Sequence, residues 1–212
     1  MQYSFIHVTN EEILDKVHRF RYKVMHEEFG WIRNANDKKE RDIYDDYCEQ
    51  FAILNANQEI CASMRLIHHS PIGYPTEDFL DLSQTQFQYD REKLSEMSRI
   101  FIDSKYRNMR DTKIFISSIV KSLAYEKIKE YGIEYCYGMM EPKFIKLVNM
   151  FKIPYKPIAD LHLSYGRFRQ PSMMYVKELE EQNPQLAKYW DIHKEISVLH
   201  LDTNIKPDQI II

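Results

Sequence analysis

Glycine is scarce in this chain, with 5 among 212 residues. Neither G-x-G-x-x-G nor G-x-x-x-x-G-K-[ST] occurs, which counts against a Rossmann dinucleotide site and against a P-loop. Cysteine is sparse as well. Cys48, Cys61 and Cys136 are far apart, with no C-x-x-C pair and no clustered histidine, so neither a disulfide framework nor a zinc-ligand spacing is present. They read as reduced, small packing residues. An excess of charge of one sign is missing too: 29 Lys plus Arg stand against 32 Asp plus Glu, for a formal net charge of -3. No global field for nucleic acid follows from that balance. There is no apolar run of about 18 residues, and Met1-Gln2-Tyr3-Ser4-Phe5 lacks the charged-then-apolar pattern of a secretory signal. The expectation is a soluble, cytoplasmic protein without a transmembrane segment. G-x-S-x-G, H-E-x-x-H and the local motifs of thiol enzymes are also absent, and no metal ligand set or redox cofactor is implied.

What remains is ordinary globular composition, 44% hydrophobic and 29% charged, with a readable order of elements. Thr9-Asn10-Glu11-Glu12 has the form of a capping box, and behind it Ile13, Leu14, Val17, Phe20, Val24 and Met25 recur at helical spacing up to Gly30. The polar segment Arg33 to Glu40 reads as a mobile connection. Gln50 to Asn55 and Glu59 to His68 read as strands joined by a turn, Ser70 to Asp81 as loop, and Ser98 to Asp103 as a third strand. Asp111 or Thr112 is expected to cap a long helix through Ile116, Ile119, Val120, Leu123 and Ile128, with Gly132 just past its end. Ile133 to Met140 reads as a buried strand, and Pro142 as the first turn of a short helix. Ile153 to Ser164 and Ser172 to Val176 read as closing strands. The tail from Glu178 is charged, with a helix expected through Leu186 and Trp190. These alternations predict a mixed sheet covered by helices, with residues 1–177 as one domain and 178–212 as a partly helical extension.

Charged residues interrupt the apolar elements. Arg21 follows Phe20 on the first helix, Asp42 and Asp45 flank Ile43-Tyr44, Arg65 breaks a strand, and Glu96 and Arg99 bracket Met97-Ser98. Taken singly, these are solvated helix residues, loop caps or structural ion pairs. Taken together, they offer cations and carboxylates that one cleft could gather around an amine-bearing, zwitterionic substrate. Carboxylates hold or deprotonate the amine, and arginine grips a carboxylate with both edges of its fork.

The ordered set Arg21, Met25, Trp31, Asp42, Asp45, Arg65, Glu96 and Arg99 resembles the signature of acyl-homoserine-lactone synthases, except that the family usually has Phe where Met25 stands. The second half is similar to N-acyl amino acid synthases and to PEP-CTERM/exosortase-associated acyltransferases. The segments that carry that likeness are Met140-Glu141-Pro142-Lys143-Phe144, Phe151 to Ile158, and Tyr165-Gly166-Arg167-Phe168-Arg169-Gln170-Pro171. Together the two resemblances span residues 15 to 176 and imply an α/β, GNAT-like (acyl-CoA N-acyltransferase) fold. In that fold a splayed mixed sheet flanked by helices receives the acyl donor in its gap and the acceptor from the opposite side.

Against that background the stretch Ser104 to Asp111, where acetyltransferases of this fold bind pyrophosphate, has no glycine. Close backbone approach to a pyrophosphate is thereby disfavoured. A phosphopantetheine thioester on an acyl carrier protein (acyl-ACP) is the expected donor, ahead of acyl-CoA. From Ser104 to Tyr131, seven cations face three carboxylates. Lys105, Arg107, Arg110 and Lys113 are the expected docking residues for the acidic carrier; a solvated helix face is the plain alternative. Met64, Met97, Met139, Met140, Met150, Met173 and Met174 suit an adaptable acyl tunnel or an ordinary core.

The expectation is an N-acyltransferase joining a long-chain acyl group to the amine of an amino acid or similar acceptor. The resemblance makes Glu96 the base, with Arg99 as its catalytic partner. Arg65, Asp42 and Asp45 would form the acceptor pocket, and Arg21 and Trp31 a closing N-terminal wall. The alternatives are a lactone synthase using S-adenosylmethionine and a non-catalytic module that binds an acidic partner.

Overall fold

The first helix begins one residue later than the capping-box pattern suggests. In the computed structural model, which describes residues 3–191, Asn10 is the cap, and its side chain accepts the backbone N–H groups of Glu12 and Ile13 at 2.8 and 3.2 Å. Asn is at least as good a cap as Thr because its carbonyl reaches the same orphan donors. α1 (Glu11–Tyr22) runs on through a π-helical segment, Lys23–Glu28, a widened turn often found at functional sites. Val17, Phe20, Val24 and Met25 of the expected stripe are buried.

Among the described residues eight strands make the sheet: β1 (Tyr3–His7), β2 (Cys48–Asn55), β3 (Ile60–His68), β4 (Leu94–Ile102), β5 (Tyr135–Met140), β6 (Tyr155–Pro157), β7 (His162–Ser164) and β8 (Arg167–Tyr175). Their order is β1-β2-β3-β4-β5-β8-β6, with β7 paired to β8. Pairing is antiparallel except between β4 and β5, which are parallel. β1 was not expected from sequence; at five residues it is a short edge strand whose apolar alternation is slight. The single run expected over Ile153 to Ser164 is two short strands, because Pro157 lacks the N–H needed to continue a ladder.

Over one face lies a long helix in three parts: α2 (Met109–Ser118), a π-helical segment Ile119–Ala124, and α3 (Tyr125–Glu130). Asn108 caps it by accepting from the Asp111 N–H at 3.0 Å, in place of the expected Asp111 or Thr112. Gly132 closes it at φ +66°, a backbone region glycine enters without strain. Phe115, Ile116, Ile119, Val120 and Ile128 form one core with Phe51, Ile53, Met64 and Leu66 of the sheet. α4 (Pro142–Met150) starts on its proline as expected. α5 (Val176–Gln182) and the helical residues 185–191 place Leu179 and Leu186 in that same core. The first part of the expected C-terminal extension therefore packs on the domain; 192–212 lie outside the described residues. Among the described residues no helix is long and apolar enough to cross a membrane.

Two departures from a regular sheet position everything that follows. β4 and β5 pair only over Leu94–Glu96 against Tyr135–Tyr137, although β4 continues to Ile102 and β5 to Met140. Beyond Glu96 the two strands part. β4 also carries a bulge: Ser63 faces Phe101 and Arg65 faces Ser98, so one residue of β3 spans two of β4, and Arg99 takes φ +54°.

Phe115 has no solvent exposure at the helix–sheet contact. Phe115→Ala is expected to cost about 3–5 kcal/mol, and Asn10→Ala about 1 kcal/mol, in urea unfolding. Equal losses for the two would contradict the packing described.

Candidate active site

Where β4 and β5 part, a cavity of about 1110 Å³ opens, larger than a typical small-ligand pocket. Its apolar wall includes Met25, Trp31, Met97, Met139, Met140 and Phe144, and its polar wall Glu40, Asp42, Glu96 and Arg99. Met64, Met173 and Met174 lie in the buried core, and Met150 is exposed, so only part of the methionine set faces the cavity.

Behind the polar wall is a closed ring of alternating charges. Glu40 accepts from Arg21 at 2.5 Å and from Arg99 at 2.8 Å. Arg99 also donates to Asp42 at 2.8 Å. Asp42 takes a two-pronged grip from Arg65 at 2.5 and 3.0 Å. Arg65 lies 3.0 Å from Asp45, which closes the ring by accepting both prongs of Arg21 at 2.6 and 3.0 Å. Arg21 and Arg65 have 0% exposure, a burial that three carboxylates make tolerable. Gln50 donates to Asp45 and Arg65 to Ser98, taking up further polar capacity.

Three arginines come from three elements, α1, β3 and β4, while the carboxylates all come from the connection after α1. That connection, expected to be mobile up to Glu40, is pinned: Glu40 is buried and its N–H donates to the His18 carbonyl at 3.0 Å. The bulge matters here. At strand period, residues three apart point to opposite faces, yet Glu96 and Arg99 both line the cavity, because the extra residue re-aims Arg99.

Glu96 stands outside the ring. It is 1% exposed, and one carboxylate oxygen accepts the Thr76 N–H at 2.9 Å. Burial pushes its pKa from 4.5 up to about 7, against the opposing pull of the Thr76 N–H, Arg65 and Arg99. The ring carboxylates shift the other way. Burial alone would raise them, but their arginines outweigh it and hold Glu40, Asp42 and Asp45 below the usual range. One wall thus offers a carboxyl poised near neutral pH beside permanently ionised neighbours, which is how a general base is set apart from structural carboxylates.

Residues 20–116 match the family model described as an acetyltransferase (GNAT) domain. The chain has the GNAT-like acyltransferase fold. Among solved structures, FeeM, an N-acyl amino acid synthase from uncultured soil microbes, matches with TM-score 0.65 and 16% identity, over 89% of this chain and 97% of FeeM. TofI, in a ternary complex with an inhibitor and MTA, matches with TM-score 0.62 and 20% identity over 88% and 100%. BjaI, a CoA-dependent acyl-homoserine lactone synthase with MTA, matches with TM-score 0.63 and 17% identity over 88% and 90%. No curated protein matches the sequence. Residues 20–116 are thus similar to a GNAT-type acetyltransferase domain.

On this GNAT-type scaffold the residues singled out from sequence separate into three places. Trp31, Asp42, Glu96, Arg99 and Arg107 line the cavity. Arg21, Asp45 and Arg65 are engaged in the ring behind it. Lys105, Arg110 and Lys113 are exposed on and just before α2, away from any ion pair among the described residues, whereas Arg107 pairs with Glu28 at 2.5 Å. Glu40 was missed. The sequence did carry a hint: Glu40 precedes Asp42 by two residues, in the same acidic connection.

Sign and window follow for stability. Carboxylates depressed in the fold stabilise it above their ordinary values of 3.8 and 4.5, and that contribution is lost as pH falls through the lower folded values. Glu96 acts oppositely: its contribution is complete below 4.5 and disappears as pH rises through about 7. In melting curves from pH 3 to 9, Glu96→Gln is expected to gain stability relative to wild type only on the alkaline side. Glu40→Ala, which opens the ring and leaves Arg21 and Arg99 with one carboxylate each, is expected to lose about 3 kcal/mol at neutral pH. A flat Glu96→Gln difference across the range would contradict the burial argument.

Proposed function

We propose that this acyltransferase joins a long-chain acyl group, delivered as an acyl carrier protein thioester, to the amine of an amino acid or similar small acceptor. The reading rests chiefly on Glu96: a buried carboxyl with a pKa raised to about 7, in the wall of a largely apolar cavity, at the point where β4 and β5 part. An ammonium has no lone pair, so a base must take its proton before attack. Glu96 takes it directly or through water. The amine nitrogen then bonds to the thioester carbonyl carbon, and the carbonyl electrons move to oxygen. The adduct nitrogen gives up a second proton to solvent; on collapse the C–S bond breaks, Glu96 passes its proton to the thiolate, and amide and free thiol result. Backbone N–H groups of β4 past Glu96, released from β5, are suited to meet the oxyanion.

Arg99 and Asp42 form the polar floor facing the acceptor, with Trp31 beside it. Arg21, Arg65 and Asp45 position that floor from behind without touching substrate. For the donor, two features favour a carrier protein over CoA. Exposed Lys105, Arg110 and Lys113 offer a face for an acidic partner. The α2 N-terminus, which would cradle a pyrophosphate, is already occupied by the Asn108–Asp111 pair, and the Asp111 carboxylate repels a second anion there.

A second reading is lactone synthesis from S-adenosylmethionine, favoured by signature residues that line one cavity or belong to the ion-pair ring directly behind it, and by likeness to TofI and BjaI. Incubation with acyl carrier protein thioester and either free amino acids or S-adenosylmethionine separates the two. N-acyl amino acid without methylthioadenosine supports the first reading, and methylthioadenosine with an acyl lactone supports the second. In either assay Glu96→Gln is expected to lose product formation on the order of 100-fold or more. Wild-type kcat/KM should rise tenfold per pH unit below about 7 and level above it. A folded Glu96→Gln enzyme with full turnover would remove Glu96 from the mechanism.

A further inference from the structure

The ring leaves the acceptor's own charge unanswered. An amino acid brings a carboxylate as well as an amine, yet Arg21, Arg65 and Arg99 are each taken up by two carboxylates of the ring. Other cations along the cavity are also engaged: Lys39 with Asp15, Arg41 with Asp37, and Arg107 with Glu28. Lys143 is exposed to water. Arg169 differs from all of these.

Arg169 sits on β8 opposite His162 of β7, lines the cavity, and is 8% exposed. One Nη donates to the Ser164 carbonyl. Its guanidinium lies 4.6 Å from the centre of the Trp31 ring and 5.4 Å from that of Tyr165. Among the described residues it has no carboxylate partner; the nearby Glu141 is bonded to Arg167. A buried guanidinium lying over aromatic rings, with N–H groups to spare, is uncommon without an anion to receive. Cation–π contact offsets part of its burial but satisfies none of the in-plane donors. The arrangement keeps the planar fork oriented, the geometry that favours two-pronged recognition of a carboxylate.

We propose that Arg169 binds the carboxylate of the acceptor, and so selects amino acids over simple amines. The proposal rests on the acyltransferase reading above and adds the residue that sets acceptor class. An anion of the donor's phosphopantetheine arm shares the same chemistry. The exposed cations of α2 are better placed for it, since they lie outside the cavity with the predicted carrier surface.

The test is a specificity comparison. Wild type and Arg169→Gln are assayed with a long-chain acyl carrier protein thioester and glycine, leucine, tyrosine and glutamate, each paired with its α-carboxamide. Wild type is expected to prefer each accepted amino acid over its amide. Arg169→Gln should raise the amino-acid KM roughly 10- to 100-fold, the scale of a charge-assisted bond, and leave the amide and donor KM values unchanged. Arg169→Lys should recover part of the preference. Because the readout is a ratio within one variant, partial loss of folded protein does not alter it. A wild-type enzyme that acylates amino acids and amides equally overturns the proposal, as does a variant in which the donor KM rises instead. Failure of wild type to acylate any amine in the panel would sink the amino-acid acceptor reading itself, a different result.

Discussion

A closed ring of three guanidinium groups and three carboxylates organises this molecule. Each member depends on two neighbours, and two of the arginines are entirely buried. Isolated charges would be intolerable there, because the interior offers little dielectric relief. Closure removes the difficulty, since every charge faces opposite charges on both sides. The ring also fastens the connection between α1 and β2, which supplies all three carboxylates, onto α1, β3 and β4. A segment with few apolar residues is thereby held as firmly as the core holds the helices.

That fastening shapes the cavity. Arg99 occupies a strained left-handed conformation in a strand bulge, a cost the neighbouring ion pairs are well placed to offset. Without the bulge its side chain would leave the wall it shares with Glu96. With it, an ionised floor and a near-neutral carboxyl lie side by side. The contrast between them is environmental. Glu40 and Asp42 are hydrogen-bonded by arginine forks, whereas Glu96 takes the Thr76 backbone N–H and feels Arg65 and Arg99 without an arginine fork on its own carboxylate. The parted strands supply the remaining ingredient, a sheet edge inside the protein whose backbone groups are free to meet a substrate. Catalysis of acyl transfer needs these three things together: a base, an oriented acceptor, and donors aimed at a developing oxyanion.

Much of the fold was legible. The stripe from Val17 to Met25, the hairpin around Asn55, the long helix ending at Gly132 and the proline-led helix at Pro142 follow from local periodicity and turn chemistry. The misplaced caps, at Asn10 and Asn108 instead of Thr9 and Asp111 or Thr112, arise because adjacent polar residues are nearly equivalent cap candidates. β1 and the break between β6 and β7 escaped for a different reason: short strands are defined by their partners more than by their own pattern.

For the site, the residue types and their order determine which groups exist. Arginines embedded in apolar elements and carboxylates clustered in one connection already specify a mixed-charge centre, because such residues are not buried unpaired. Which of them face the cavity was decided only in three dimensions. Arg21, Arg65 and Asp45 turn away from the cavity, Glu40 joins it, and Arg169 arrives from the far end of the chain to lie on Trp31. No spacing rule encodes these outcomes. They depend on a one-residue bulge, on where two parallel strands stop pairing, and on the β7–β8 hairpin that brings Tyr165 and Arg169 to the cavity, each set by packing among segments remote in sequence.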